Sequence, residues 1–210
     1  MLTIHHLEKS QSERIVWLCE ELDLRYELRR YARDPQTHLA PAEYRALTPF
    51  GTAPVITDGT LTLGESAAIV EYVARIHGQG RLLVQSDAPD YADFLFWFHF
   101  SNGSLMPAAM IDSVARRLGG ENPLVTALCA RHQRAHALLE QRLAAVAFLA
   151  GDTFSAADIM SLFVLTTMRV FSNHDLSPYP HIRAYVDRMT ARPAYLRAMH
   201  KAEPDARAAA

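Results

Sequence analysis

Ala53-Pro54-Val55-Ile56-Thr57-Asp58-Gly59-Thr60-Leu61-Thr62-Leu63-Gly64-Glu65-Ser66 is the stretch whose reading decides the fold. Two short apolar runs, Val55-Ile56-Thr57 and Leu61-Thr62-Leu63, flank Asp58-Gly59, a pair that tolerates positive φ, so the spacing predicts an antiparallel hairpin. Ser66 then reads as the cap of a helix that turns Ala67, Ile69, Val70, Val73 and Ala74 inward and ends near Gly78-Gln79-Gly80. Upstream, Leu2 to Leu7 reads as a buried strand. Ile15, Leu18, Cys19 and Leu22 recur at helical spacing within the segment from Ser10 to Leu22. Tyr26 to Tyr31 alternates as a second strand, and Ala42 to Leu47 carries a weak helical signal. The predicted order over residues 1–79 is β-α-β-α-β-β-α, an α/β domain.

Residues 80–88 are polar and loop-like, and 89–210 show no strand pattern that survives comparison with a helical one. Leu124, Leu128, Ala135, Leu139, Leu143 and Val146 keep to one stripe of a long helix. Asp158 to Val170 is apolar nearly all round, as expected of a helix at the centre of a bundle. The second domain therefore reads as all-α, with a frayed Ala-rich end from Ala206 to Ala210.

Composition narrows the function. In 210 residues, 21 Lys and Arg are matched by 23 Asp and Glu without long blocks, which gives no reason to expect nucleic acid as a partner. Two cysteines, Cys19 and Cys129, sit inside helical patterns far apart, as reduced core residues rather than a disulfide framework. No basic segment followed by an apolar run opens the chain, and no apolar stretch is long enough to span a bilayer. The expectation is a soluble cytoplasmic protein that handles small molecules, with no membrane partner.

Three places carry chemistry. A cis bond at Ala53-Pro54 would turn the chain so that Val55 presents backbone N–H and C=O groups to a peptide-like ligand; an ordinary trans proline at a strand edge is the plainer alternative. Glu65-Ser66 at a helix start suits an α-amino acid head group, the N–H groups and dipole facing its carboxylate and Glu65 its ammonium. A simple cap with a solvated Glu is the other reading. Ser10 with Glu13 fits a capping box, and the Ser10 hydroxyl is also placed to donate to a thiolate bound near the helix N-terminus. That role needs no base, and no Ser/His/Asp arrangement is legible. His5 and His6 point to opposite faces of a strand, and His132 lies on an apolar helical stripe; no metal is expected.

Taken in order, these residues resemble the cytosolic glutathione transferases, over nearly the whole chain. Ser10, Pro54 and Glu65-Ser66 occupy the places of that family's first-helix hydroxyl, cis proline and Glu/Gln-Ser pair. Ser10-Gln11-Ser12-Glu13-Arg14, Trp17 to Leu22, Arg33-Asp34-Pro35 and Leu39-Ala40-Pro41 are similar to serine-type bacterial and fungal members. Gly151 to Ile159, with Ser155 as N-cap, Asp158 at N3 and Phe154 opposite Ile159, matches the element that nucleates the central helix of the second domain.

The resemblance implies a thioredoxin-like first domain and a homodimer. It implies glutathione as co-substrate, bound through Thr52, Pro54, Val55, Glu65 and Ser66, with Ser10 or Ser12 at the thiol. It also implies a cleft for a small hydrophobic electrophile or peroxide, lined by His99, Met106 and Met110 of the fourth helix. Thr48-Pro49-Phe50-Gly51-Thr52 departs from the family pattern, which often places a lysine where Thr52 stands. Lys9, His38 or a partner residue is left to meet the glycine-end carboxylate. A non-catalytic binding or regulatory protein, and a glutathione-dependent isomerase or disulfide reductase, share the fold and stay open.

Overall fold

The computed structural model describes residues 1–118, 122–172 and 174–204. The Ala-rich end expected to fray lies outside them. The chain forms two compact units: Met1–Leu83 joined by the chain from Thr190 on, and Val84–Met189.

In the first unit β1 (Leu2–Leu7), β2 (Glu27–Tyr31), β3 (Val55–Asp58) and β4 (Leu61–Gly64) form one mixed sheet in the order β2-β1-β3-β4. β1 runs parallel to β2, with Ile4 opposite Leu28, and antiparallel to β3, with Ile4 opposite Ile56. All six β1 residues are buried, yet three of them are Thr3, His5 and His6. The two histidines are tolerated because each finds partners: His5 meets the Tyr31 hydroxyl and Thr57 Oγ1, and His6 meets Ser12 and Glu203.

The β3–β4 hairpin forms as expected, with a shifted turn. Asp58 pairs with Leu61, so the two-residue loop is Gly59-Thr60, and only Gly59 (φ 59) takes positive φ. Asp58 closes β3 and accepts from Tyr72 and His77 instead.

Helix α1 (Glu13–Glu21) packs against α3 (Ser66–Ile76). The short α2 (Ala42–Arg45) contributes Tyr44, whose hydroxyl donates to the His5 carbonyl. Gly78 ends α3 where a Cβ would lie 2.8 Å from the Ala74 carbonyl and 2.9 Å from Leu22 Cδ1, so only glycine fits without a shift. The last helix of the chain, α10 (Pro193–Ala202), follows the helical domain in sequence but packs on α1. Glu20 accepts from Tyr26, Arg197 and Lys201, Glu21 holds Arg192 by two bonds, and Trp17 meets Tyr195 edge-on at 5.2 Å. These ties place the segment in the first unit, whereas element type alone assigned it to the second.

The second unit holds α4 (Tyr91–Phe100), α5 (Met106–Leu118), α6 (Pro123–Ala145), α7 (Ala156–Leu165), α8 (Arg169–Ser172) and α9 (Pro180–Thr190, whose last residue falls in the first unit). All ten residues of α7 are buried, and its capping box is formed as read from Ser155 and Asp158. Asp158 also accepts from Leu149 N–H and the Tyr185 hydroxyl, both at 2.9 Å.

Two details differ from the sequence reading. The central helix stops at Leu165 rather than Val170, because the Thr166 hydroxyl takes the Leu162 carbonyl and the Thr166 N–H turns to Phe163. Leu124 is 66% exposed, so the buried stripe of α6 consists of His132, Ala135, His136, Leu139 and Leu143. Among the described residues no helix is long and apolar enough to cross a membrane.

Candidate functional site

Ser10 stands in the loop between β1 and α1, next to Lys9 in positive φ (49). It is not the N-cap. The residue before α1 is Ser12, no side-chain cap bond forms, and the Ser10–Glu13 box gives way to a backbone bond from Glu13 N–H to the Ser10 carbonyl. Freed from capping, Ser10 Oγ accepts from Ser12 N–H at 3.2 Å and lies 2.7 Å from Ser12 Oγ.

From there a buried chain of polar groups continues. Ser12 Oγ is 2.9 Å from His6 Nδ1, and His6 Nε2 is 3.0 Å from Glu203 Oε1, which also accepts Lys9 N–H at 2.6 Å. Burial pushes the Glu203 carboxyl up, but the hydrogen bonds from His6 and Lys9 outweigh it and hold the group below its ordinary value.

The direction of the chain follows from what each group can do. A carboxylate only accepts, so His6 Nε2 donates to Glu203, and Nδ1 of the neutral ring is left as an acceptor for the Ser12 hydroxyl. Ser12 Oγ also accepts Leu7 N–H at 3.1 Å. With the Ser12 proton turned to His6, Ser12 accepts across the 2.7 Å contact, so in the free protein the Ser10 hydroxyl donates to Ser12. No Ser/His/Asp arrangement was legible because Glu203 lies 197 residues from His6. The β1–α1 turn and the docking of α10 bring the two together.

The second group lies at the start of α3. Ala53-Pro54 is cis, Val55 is fully buried, and Val55 has register partners His5 and Gly64. Glu65 occupies the N-cap position at φ 68 with its side chain exposed, and Ser66 is the first helical residue rather than the cap.

The Ser66 hydroxyl has other partners: it donates to Gln11 Oε1 at 3.0 Å and accepts from Arg14 Nη1 at 3.2 Å, while Arg14 also reaches Gln11 at 2.6 Å. Burial pulls the Arg14 guanidinium down to about 9, with Glu13 opposing, so it remains a cation at neutral pH beneath the positive end of α3. Gln11 and Arg14 were missed as site residues because their sequence signal, a polar helix start, is shared with ordinary caps. Their adjacency to Ser10 links the two groups through the chain itself.

Thr52 is exposed, and the Thr48 hydroxyl accepts Gly51 N–H in the preceding turn. Lys9 pairs with Glu8 at 3.2 Å, and His38 (φ 57) gives its carbonyl to Arg33, which also binds the Glu8 carbonyl. Arg33 is thus a cation beside the Ser10 loop that the sequence reading did not consider. In the second unit, His99 is exposed on α4 and Met110 on α5, with Met106 half-buried. A π-helical turn, Ser101–Leu105, separates them, so they do not share one fourth helix.

Comparison with known proteins identifies the family. The family model for the glutathione S-transferase N-terminal domain matches residues 10–76, and that for the C-terminal domain matches 104–193. Glutathione S-transferase 3 of Schizosaccharomyces pombe is 30% identical over 97% of this chain and 88% of its own length. Glutathione S-transferase 4 of Zea mays is 33% identical over 83% of this chain and 81% of its own. A crystal structure of a glutathione S-transferase from Actinobacillus pleuropneumoniae superposes with a TM-score of 0.89 at 30% identity, covering 97% of this chain and 93% of the other. With a family model on each half and a relative matched along nearly all of it, the chain belongs to the glutathione S-transferase family.

Proposed function

We propose that the chain binds glutathione on its first unit, stabilises the thiolate with the Ser10 hydroxyl, and directs it at a small hydrophobic electrophile or hydroperoxide. The observation that carries this reading is the buried chain Ser10, Ser12, His6, Glu203, which makes the Ser10 hydroxyl the donor at the end of the chain, and its proton turns from Ser12 to the thiolate when glutathione binds. A hydrogen bond to the charged form of a thiol lowers its pKa and raises the thiolate fraction at neutral pH. Ser12 is fully buried whereas Ser10 keeps 5% exposure, which favours Ser10 as the donor and Ser12 as its support.

In this reading the α-amino acid end of glutathione meets α3. Glu65 takes the ammonium, and the Ser66 N–H group and the Arg14 charge favour the carboxylate. The Val55 backbone pairs with the cysteinyl unit. Thr52, Lys9 and Arg33 surround the glycine end without the family's usual lysine. His99, Met106 and Met110 contribute to electrophile selection, the methionines adapting to varied shapes.

A homodimer in the cytoplasm completes the reading, and sedimentation at micromolar concentration checks the assembly, a monomer removing it. Retention on immobilised glutathione followed by assay against electrophiles, peroxides and mixed disulfides tests the activity. Turnover confined to disulfides would favour the reductase reading, and no retention would favour a binding protein with lost glutathione affinity.

A further inference from the structure

The helical unit contains a second cluster of titratable groups. His132 and His136 stand one turn apart on α6, and their ring centroids lie 4.5 Å apart. His174, from the segment after α8, brings its ring to 4.3 Å from His132 and 4.2 Å from His136. One ring nitrogen from each of the three lies within 4.8 Å of the others.

Hydrogen bonds engage one nitrogen of each of the first two rings. His132 Nδ1 is 3.1 Å from Asp112 Oδ2, and His136 Nδ1 is 3.1 Å from the His132 carbonyl oxygen. A carboxylate and a carbonyl can only accept, so both Nδ1 atoms donate, and Nε2 of each neutral ring carries a lone pair. His174 Nε2 is itself buried without a hydrogen-bond partner. A buried ring nitrogen without a partner beside two lone pairs is a costly arrangement, which a cation bound by all three rings removes.

We propose that His132, His136 and His174 form a binding site for a divalent first-row transition-metal ion, with zinc as the committed occupant. Imidazole nitrogens suit this ion class, and three of them leave a fourth position for water. Asp112 supplies the carboxylate that commonly orients a metal-bound imidazole. It is itself fixed by Arg116 at 2.9 Å. Tetrahedral ligation sets nitrogens ~3.4 Å apart. Loading therefore draws the rings together, with the non-helical His174 segment as the part that moves. The ion clamps α6 to that segment within the second unit.

The test uses the full chain carrying no histidine tag, stripped with chelator and titrated with Co2+. The expected result is one equivalent bound with the visible bands of a tetrahedral ion, displaced by Zn2+, and a higher thermal midpoint when loaded. His174→Ala, a half-buried position outside any helix, abolishes the bands, as does His136→Gln. Asp112→Asn weakens binding by about 10–100-fold. His181→Ala, an exposed histidine outside the cluster, leaves it intact. No binding by the stripped native chain, or binding that survives His174→Ala, overturns the proposal.

Discussion

His6 Nε2 lies 3.0 Å from Glu203 Oε1, although 197 residues separate them. The bond joins the first strand to the residue that follows α10, and it fixes the ring whose other nitrogen faces Ser12. His6 and Glu203 are therefore positioning residues for Ser10. Glu203→Gln and His6→Asn are expected to lower kcat by about 10-fold, equivalent to about 1.4 kcal/mol. KM for glutathione should change little, because both side chains are buried and committed to each other and to the Ser12 hydroxyl. Steady-state kinetics with one accepted electrophile checks the split. A rise in KM with kcat unchanged would assign the pair to binding.

Ser66 tests the other half of the site. Ser66→Ala removes the hydroxyl that ties Gln11 and Arg14 to the start of α3. Glutathione Kd is expected to rise roughly 10-fold by calorimetry, since charge-assisted contacts there are among the stronger ones. The pKa of the bound thiol should stay where it is. An unchanged Kd would remove Ser66 from the binding site.

In the helical unit, Asp158→Ala leaves the buried donors of Leu149, Ser155 and Tyr185 without their acceptor. The expected loss is about 3–5 kcal/mol by urea denaturation, combining a lost cap with several unmet buried groups. A loss below about 1 kcal/mol would mean that water replaces the carboxylate.

The α1–α10 clamp gives a pH dependence. Burial raises the Glu20 carboxyl, but hydrogen bonds from Lys201, Tyr26 and Arg197 outweigh it and hold the group below its ordinary value of 4.5. A depressed folded pKa contributes stability that is complete above the unfolded value and is lost as pH falls through the folded one. The urea midpoint should therefore fall more steeply between about pH 5 and about pH 3 in the native chain than in Glu20→Gln. Parallel curves would show that the clamp adds nothing through ionisation.

The sequence revealed the fold where periodicity is local. The hairpin around Gly59, the burial of β1 and the Ser155/Asp158 box follow from residues within a few positions of one another. It failed where a local pattern had two physical meanings. Ser10-Gln11-Ser12-Glu13 reads as a capping box, yet Ser12 is drawn into the strand by Leu7 and His6, and the cap does not form. Gln11, Arg14 and Glu203 were illegible as site residues because their roles depend on contacts made between segments far apart in the chain. Apolar stripes likewise cannot separate a packed leucine from a buried histidine. His132 and His136 occupy the stripe of α6, and only the fold brings His174 to them.

The central claim is that Ser10 stabilises the glutathione thiolate, and the most direct measurement is the pKa of bound glutathione. Thiolate absorbance is titrated at matched saturation in the native chain, in Ser10→Ala and in Ser10→Asn. The bound thiol of the native protein should titrate below the ordinary thiol value of about 8.5, and return toward it in Ser10→Ala, with turnover at neutral pH falling in step. Ser10→Asn retains a polar group in a different geometry and should recover only part of the shift. A bound-thiol pKa that is the same in folded Ser10→Ala as in the native chain, with turnover unchanged, would contradict the account and leave Ser10 as a residue of the loop alone.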